Sequence, residues 1–257
     1  MSGLDAGPYR LYAVCRAGDE TLYSQAIEIL LVDDDVRGVE LALGPGAQVQ
    51  GVVVEAKQPS QDKQQSREQT EYTVALVGKD LAPQVSVSAT ADTQGKFELK
   101  SLWPDHYRVQ VETLDENSYV QSVVVNGSKS TDGTVALEAG ESATLEIRIS
   151  ANGGSMSGTV THATGSRYRV WLAPESEDLS PTELRFDYVS DKKTYSFQGL
   201  APGTYRVGVS DLSASFDSAD DLREFIHDPA AGTQVVTIKE GEQVVRDLEL
   251  GKRAGQD

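Results

Sequence analysis

The chain has 257 residues, 39% of them apolar, and carries 23 Lys and Arg against 40 Asp and Glu, a formal net charge of −17. That apolar share supports ordinary cores and is too large for a wholly disordered polymer. The acidity, with no basic patch anywhere, argues against nucleic acid or an anionic membrane as the main partner.

No window approaches 18 consecutive apolar residues, so no membrane span is expected in this chain, and no basic stretch leads into an apolar one at the start, so no signal peptide is expected here. The single cysteine, Cys15, permits no intrachain disulfide.

In chain order, "PYRLYAV" (Pro8 to Val14) predicts a strand whose inner face carries Tyr9, Leu11 and Ala13. Cys15 follows in the same phase and is expected to be buried rather than reactive, unless the incomplete first unit exposes it, while Tyr12 and Val14 point outward. Asp33, Asp34 and Asp35 read as a solvated acidic turn; a weak calcium site is the alternative, without EF-hand spacing or its glycine. Val39, Leu41 and Leu43 alternate as a further strand before the glycine link Gly44 to Gly46. A strand at Val49 to Val54 leads into the polar run "EAKQPSQDKQQSREQTE" (Glu55 to Glu71), a surface loop and a place for recognition.

Next, "YTVALV" from Tyr72 is a strand, and Phe97 and Leu99 alternate with Glu98 and Lys100 as another. Trp103, Pro104 and Asp105 supply a turn, and Tyr107, Val109 and Val111 the following strand, so the pair is expected to form a hairpin with one greasy face. Leu145, Ile147 and Ile149 share a strand face ahead of the link Asn152 to Gly154 and a strand at Met156 to Val160. In "YRVWLA", Val170 and Leu172 face the core, leaving Trp171 beside Arg169 on the outer side. One short helix is expected in "SADDLREFIHDP", with Ser218 as cap, Leu222, Phe225 and Ile226 on one face and Pro229 as the stop.

These elements repeat. "GKFELKSLWPDHYRVQVE" (Gly95 to Glu112) aligns without gaps on "KTYSFQGLAPGTYRVGVS" (Lys193 to Ser210), and Tyr9, Tyr107 and Tyr205 stand 98 residues apart. A tyrosine just after a turn buries its ring and caps nearby backbone through its hydroxyl, the logic of a tyrosine corner. The chain therefore reads as all-β, tandem transthyretin-like or Ig-like β-sandwiches with at most one short helix. Residues 1–45 form the C-terminal remnant of a unit, 46–150 and 151–250 complete units, and 251–257 a polar tail. The remnant has too little surface to bury by itself; the expectations are a chain cut inside a domain, or strands packed on the neighbouring unit or a partner.

The stretch "YSFQGLAPGTYRVGV" resembles the signature of carboxypeptidase regulatory-like domains, transthyretin-like β-sandwiches, and the order of the later motifs resembles module arrays of exported acidobacterial-type proteins. The resemblance implies an extracytoplasmic, multi-domain parent (periplasm, cell surface or secreted), a non-catalytic or accessory role, and no catalytic residues to carry over. "WPDHY" departs from the usual proline, glycine and tyrosine turn, and "SDKKTYSF" lacks the glycine that "ADTQGKF" keeps.

The chemistry is correspondingly sparse. His106, His162 and His227 have no partner at metal-ligand spacing, and "NGGSMSGTV" carries Met156 where a nucleophile elbow needs serine. No catalytic residue, cofactor or metal is expected, and the chain is not expected to be an enzyme. Tyr12, Trp103, Trp171 and Arg169 remain as a candidate binding surface, since exposed aromatics stack on sugars or anchor proteins. The leading reading is a structural or protein-interaction segment whose partners are neighbouring domains of the parent and a protein or glycan. Alternatives are a carbohydrate-binding module and accessory domains of an enzyme whose catalytic part lies elsewhere.

Overall fold

The computed structural model describes residues 4–32, 36–56, 71–79, 86–112, 114–161, 168–176, 179, 183–189, 193–211, 219–228 and 232–249. Its contacts divide the chain into two units, Met1–Thr113 with Val120–Ile149, and Leu114–Tyr119 with Ser150–Asp257. Asp33, Asp34 and Asp35, most of the Glu55 to Glu71 loop, His162, Ser218, Pro229 and the tail 251–257 lie outside the described residues.

The first 45 residues carry five short strands: β1 (Gly7–Leu11), β2 (Val14–Ala17), β3 (Glu20–Tyr23), β4 (Ile27–Leu31) and β5 (Gly44–Pro45). β1 pairs antiparallel with β4, and β2, β3 and β5 make a second small sheet. Then follow β6 (Ala47–Glu55), β7 (Thr73–Gly78), β8 (Ser86–Thr90), β9 (Lys96–Leu102), β10 (Asp105–Val111), β11 (Tyr119–Val125), β12 (Ser128–Lys129), β13 (Thr134–Leu137) and β14 (Ser142–Ser150). They stack as a four-stranded sheet, β13-β10-β7-β8, and a five-stranded one, β12-β11-β14-β6-β9, in which β14 runs parallel to β6.

The later strands repeat this plan: β15 (Gly154–Thr161), β16 (Tyr168–Pro174), β17 (Arg185–Tyr188), β18 (Thr194–Leu200), β19 (Gly203–Asp211), the helix α1 (Ala219–His227), β20 (Gln234–Ile238), β21 (Gln243–Val245) and β22 (Leu248–Glu249). One sheet orders β17-β16-β19-β20, the other β18-β15-β21 with β22 also on β15. The core between them holds Met156, Val170, Leu172, Phe197, Val207, Val236 and Ile238, all buried. Period-two alternation accounts for this, since it gives each strand one apolar face and a sandwich is the arrangement that buries two such faces against each other.

The expected hairpin is instead an arch. β9 belongs to the five-stranded sheet and β10 to the four-stranded one, and β18 and β19 are divided in the same way. Just before the crossing, Ser101 (φ 55°) and Gly199 (φ 62°) take left-handed backbone, and the β6–β9 and β15–β18 registers both slip there. Such a bulge bends the strand and sends the following proline across to the other sheet, so Phe97 and Tyr107 come from opposite sheets. Like-faced strands fit a hairpin and an arch equally well; the bulge selects the arch.

The three tyrosine corners are built alike. Tyr9 donates its hydroxyl to the Asp5 carbonyl (2.9 Å), Tyr107 to Trp103 (2.8 Å) and Tyr205 to Ala201 (2.7 Å), each four residues upstream.

Two further expectations change. Residues 36–43 are not a strand; among the described residues no strand stands beside them as β6 stands beside β14. Cys15 is exposed, because β1 ends at Leu11 and the chain turns through Ala13, whose N–H and carbonyl are held by Ser24, so the strand phase does not carry into β2.

The units differ in one connection. Between β10 and β13 the chain makes β11 and β12, whereas between β19 and β20 it makes α1. The helix lays Leu222 and Ile226 on the outer face of its sheet and seals a second small core with Trp171, Ala173, Leu179 and Leu184.

Candidate functional site

Of the four residues singled out from the sequence, Tyr12 and Trp103 come together in the first unit. Trp103 leaves β9 at the head of the arch, half-buried, and its indole N–H donates to the carbonyl of Ser24 at 2.9 Å. The Tyr12 ring stands perpendicular to it at 4.9 Å between centroids, and Tyr23 packs tilted at 5.0 Å. Tyr12 keeps 48% of its surface exposed. Edge-to-face packing of this kind is favourable for the aromatic quadrupoles but offers no flat platform for a sugar ring. Tyr23 and Ser24 escaped the sequence reading; their signal is the single register in which "TLYS" pairs back on β2.

Beside this cluster lies a cleft of about 250 Å³ lined by Gln25, Ala26, Pro104, Asp105, His106, Ala136, Leu137 and Glu138. Asp105 is buried, and its carboxylate accepts the His106 backbone N–H at 2.7 Å, which caps the start of β10. His106 itself is exposed. Burial, with the Asp105 charge adding to it, pushes the Tyr107 hydroxyl far up, so it stays a neutral donor.

Trp171 and Arg169 stand on β16 in the second unit. Trp171 does face the side opposite Val170 and Leu172, but it is fully buried, so the expectation of an exposed aromatic there is corrected. α1 covers it, with Phe225 at 5.4 Å, and its ring lies over Gly208. Its indole N–H is buried, with no hydrogen-bond partner among the described residues. Arg169 stacks over Phe186 at 4.0 Å, and Phe186 (36% exposed) and Tyr188 (67%) extend the apolar surface along β17. Their alternation in "RFDY" was the available signal, and it was not read as a strand.

Among the described residues no group of three or more His, Cys, Asp and Glu is placed to hold a metal ion, and no helix is long and apolar enough to cross a membrane. His227 sits at the end of α1 with its Nδ1 2.9 Å from the Arg223 carbonyl.

No protein-family model matches this chain, and no curated protein does. Among solved structures, it is similar to a streptococcal ancillary pilin at 13% identity and a TM-score of 0.29, over 97% of this chain and 77% of that one. It is also similar to the minor pilin of Streptococcus agalactiae (13%, 0.32, over 82% and 98%) and to the Bacillus anthracis TIE protein (13%, 0.28, over 95% and 43%).

Proposed function

We propose that this chain is a non-catalytic structural and protein-interaction segment of an exported multi-domain bacterial protein. Its units are of the carboxypeptidase regulatory-like kind, divided at 1–45, 46–150 and 151–250 with a tail at 251–257, and the protein acts in the periplasm, at the cell surface or outside the cell. The observation that carries this reading is that the sequence-singled residues have packing tasks: Trp103 ties the arch to Ser24, Tyr12 braces Trp103, Trp171 fills the core under α1, and Arg169 stacks on Phe186. A tyrosine corner used three times, twice to lock an arch to the strand that follows it, suits a module that holds shape under load.

Single-molecule stretching of the full chain tests it. The expected result is two sawtooth events, each releasing on the order of 30–50 nm of chain, since an extended residue spans about 3.5 Å. Smooth extension without a force peak would argue against a mechanical role. A glycan array read with the wild type and Tyr12→Ala decides the carbohydrate alternative: a tyrosine-dependent signal would replace the structural reading with a binding module.

A further inference from the structure

The chain has three asparagines, Asn117, Asn126 and Asn152, and the last two are each followed by glycine. In an asparagine–glycine pair the next backbone nitrogen reaches the side-chain amide with least hindrance, since glycine has no Cβ to crowd the approach. The fold treats the two pairs differently.

Asn152 is closed off. The Gly153 N–H donates to the Asn117 carbonyl at 2.7 Å, and a Cβ on Gly153 would stand 2.7 Å from that oxygen and from Gly199 Cα, so the nitrogen is both engaged and walled in. Asn126 and Gly127, by contrast, are the exposed two-residue turn between β11 and β12, where Val125 faces Ser128. Their φ values of 49° and 81° make a type I′ turn. No described residue accepts the Gly127 N–H, and beyond its chain neighbours no heavy atom lies within 4 Å of where a Gly127 Cβ would stand.

The turn is held by Thr144. The Asn126 N–H donates to the Thr144 carbonyl at 2.9 Å, and Asn126 Oδ1 accepts the Thr144 N–H at 2.8 Å and its hydroxyl at 3.2 Å. In left-handed backbone the Asn126 side chain and the Gly127 nitrogen lie on opposite sides of the bond from Cα to the carbonyl carbon, so they meet only when the turn opens. β12 is two residues long and lies at the end of its sheet, which keeps that opening local and cheap.

We infer that Asn126 is a site of self-modification, converting in the folded chain to aspartate and isoaspartate at a rate set by the grip of Thr144. The Gly127 nitrogen gives its proton to solvent and attacks Asn126 Cγ; the bond from Cγ to Nδ2 breaks, and the amide nitrogen leaves as ammonia. One water then opens the cyclic imide at either carbonyl. Opening at one gives aspartate, whose carboxylate keeps both bonds from Thr144 in charge-assisted form. Opening at the other reroutes the backbone through Cγ, and the added carbon breaks the two-residue fit of the turn. The modification is independent of the structural role above.

The test ages the intact chain in mildly alkaline buffer, natively and in urea, and reads both sites by peptide mass spectrometry. Natively the acid forms should accumulate at Asn126 while Asn152 keeps its amide; in urea the two sites should convert alike. Thr144→Val, which removes the hydroxyl bond, should speed native conversion at Asn126 about threefold to tenfold, the weight of one hydrogen bond, and leave the rate in urea unchanged. Retention of the Asn126 amide, equal native conversion at both sites, or an unaltered native rate in Thr144→Val would each overturn the inference. The native comparison needs no variant, so it decides the site even where Thr144→Val fails to fold.

Discussion

A hydroxyl donated to the carbonyl four residues back recurs at Tyr9, Tyr107 and Tyr205, and at the two arches it fastens the crossing to the strand that follows. Replacing Tyr107 or Tyr205 by phenylalanine keeps the ring and removes the bond, which leaves a partly buried carbonyl short of a donor. Each change should cost about 1 kcal/mol in chemical denaturation. Burial holds the Tyr205 hydroxyl up at about 12, against an ordinary 10.0, and Tyr195 similarly. A raised folded value means the folded state keeps its proton longer; this stability is complete below pH 10 and is lost as pH rises from there through about 12. Tyr205→Phe should therefore flatten the loss of stability over that window, and an unchanged slope would contradict the assignment. Lys193 has φ 59° where the first unit has Gly95 at φ 76°. Left-handed backbone strains any side chain, so Lys193→Gly should raise stability by about 1 kcal/mol, reduced somewhat by the extra freedom of unfolded glycine.

Among the elements, α1 decides the fate of Trp171. The helix turns its apolar face to the sheet, and Leu222 and Ile226 meet the indole on the outer face of β16. Leu222→Ala should cost about 2–5 kcal/mol and shift the tryptophan emission to the red as water reaches the ring; unchanged emission would mean that the helix is not the cover. Gly208 gives the indole its floor, since a Cβ there would lie 2.6 Å from Trp171 Cζ2. Gly208→Ala should accordingly cost about 1–3 kcal/mol by overpacking. At the edge formed by β21 and β22 the ladder along β15 is interrupted. The carboxylate of Asp247 takes both the N–H and the hydroxyl of Thr159, breaking the ladder into two short pieces. Those bonds hold the Asp247 carboxyl below its ordinary value. Its contribution is therefore present above the ordinary carboxylate range and disappears as pH falls through its lowered folded value. Asp247→Asn should remove that acid dependence.

For the molecule as a whole, a charge of −17 means self-repulsion in the compact state. Raising sodium chloride from about 10 mM to about 0.5 M shortens the screening length from roughly 30 Å to a few ångströms, so the midpoint of thermal unfolding should rise. A fall would mean that the surface ion pairs, such as Arg206 with Glu175 at 2.6 Å, outweigh the repulsion.

The all-β class, the 98-residue register and the corner tyrosines were readable because alternation and turn chemistry are local and each strand carries its own record of which face is buried. The helix was readable for the same reason, through its apolar face. Cys15 was misplaced because phase is a property of one unbroken strand, and the break at Ala13 is made by Ser24, eleven residues on. Trp171 was placed on the correct face and given the wrong neighbour, since its cover comes from Leu222, about fifty residues later. The sequence by itself determined which faces are apolar and where the chain turns, since both follow from side chains within a few residues. Only the tertiary structure decided which sheet each strand joins and what lies over each outer face, because those depend on segments far apart in the chain competing for the same surface.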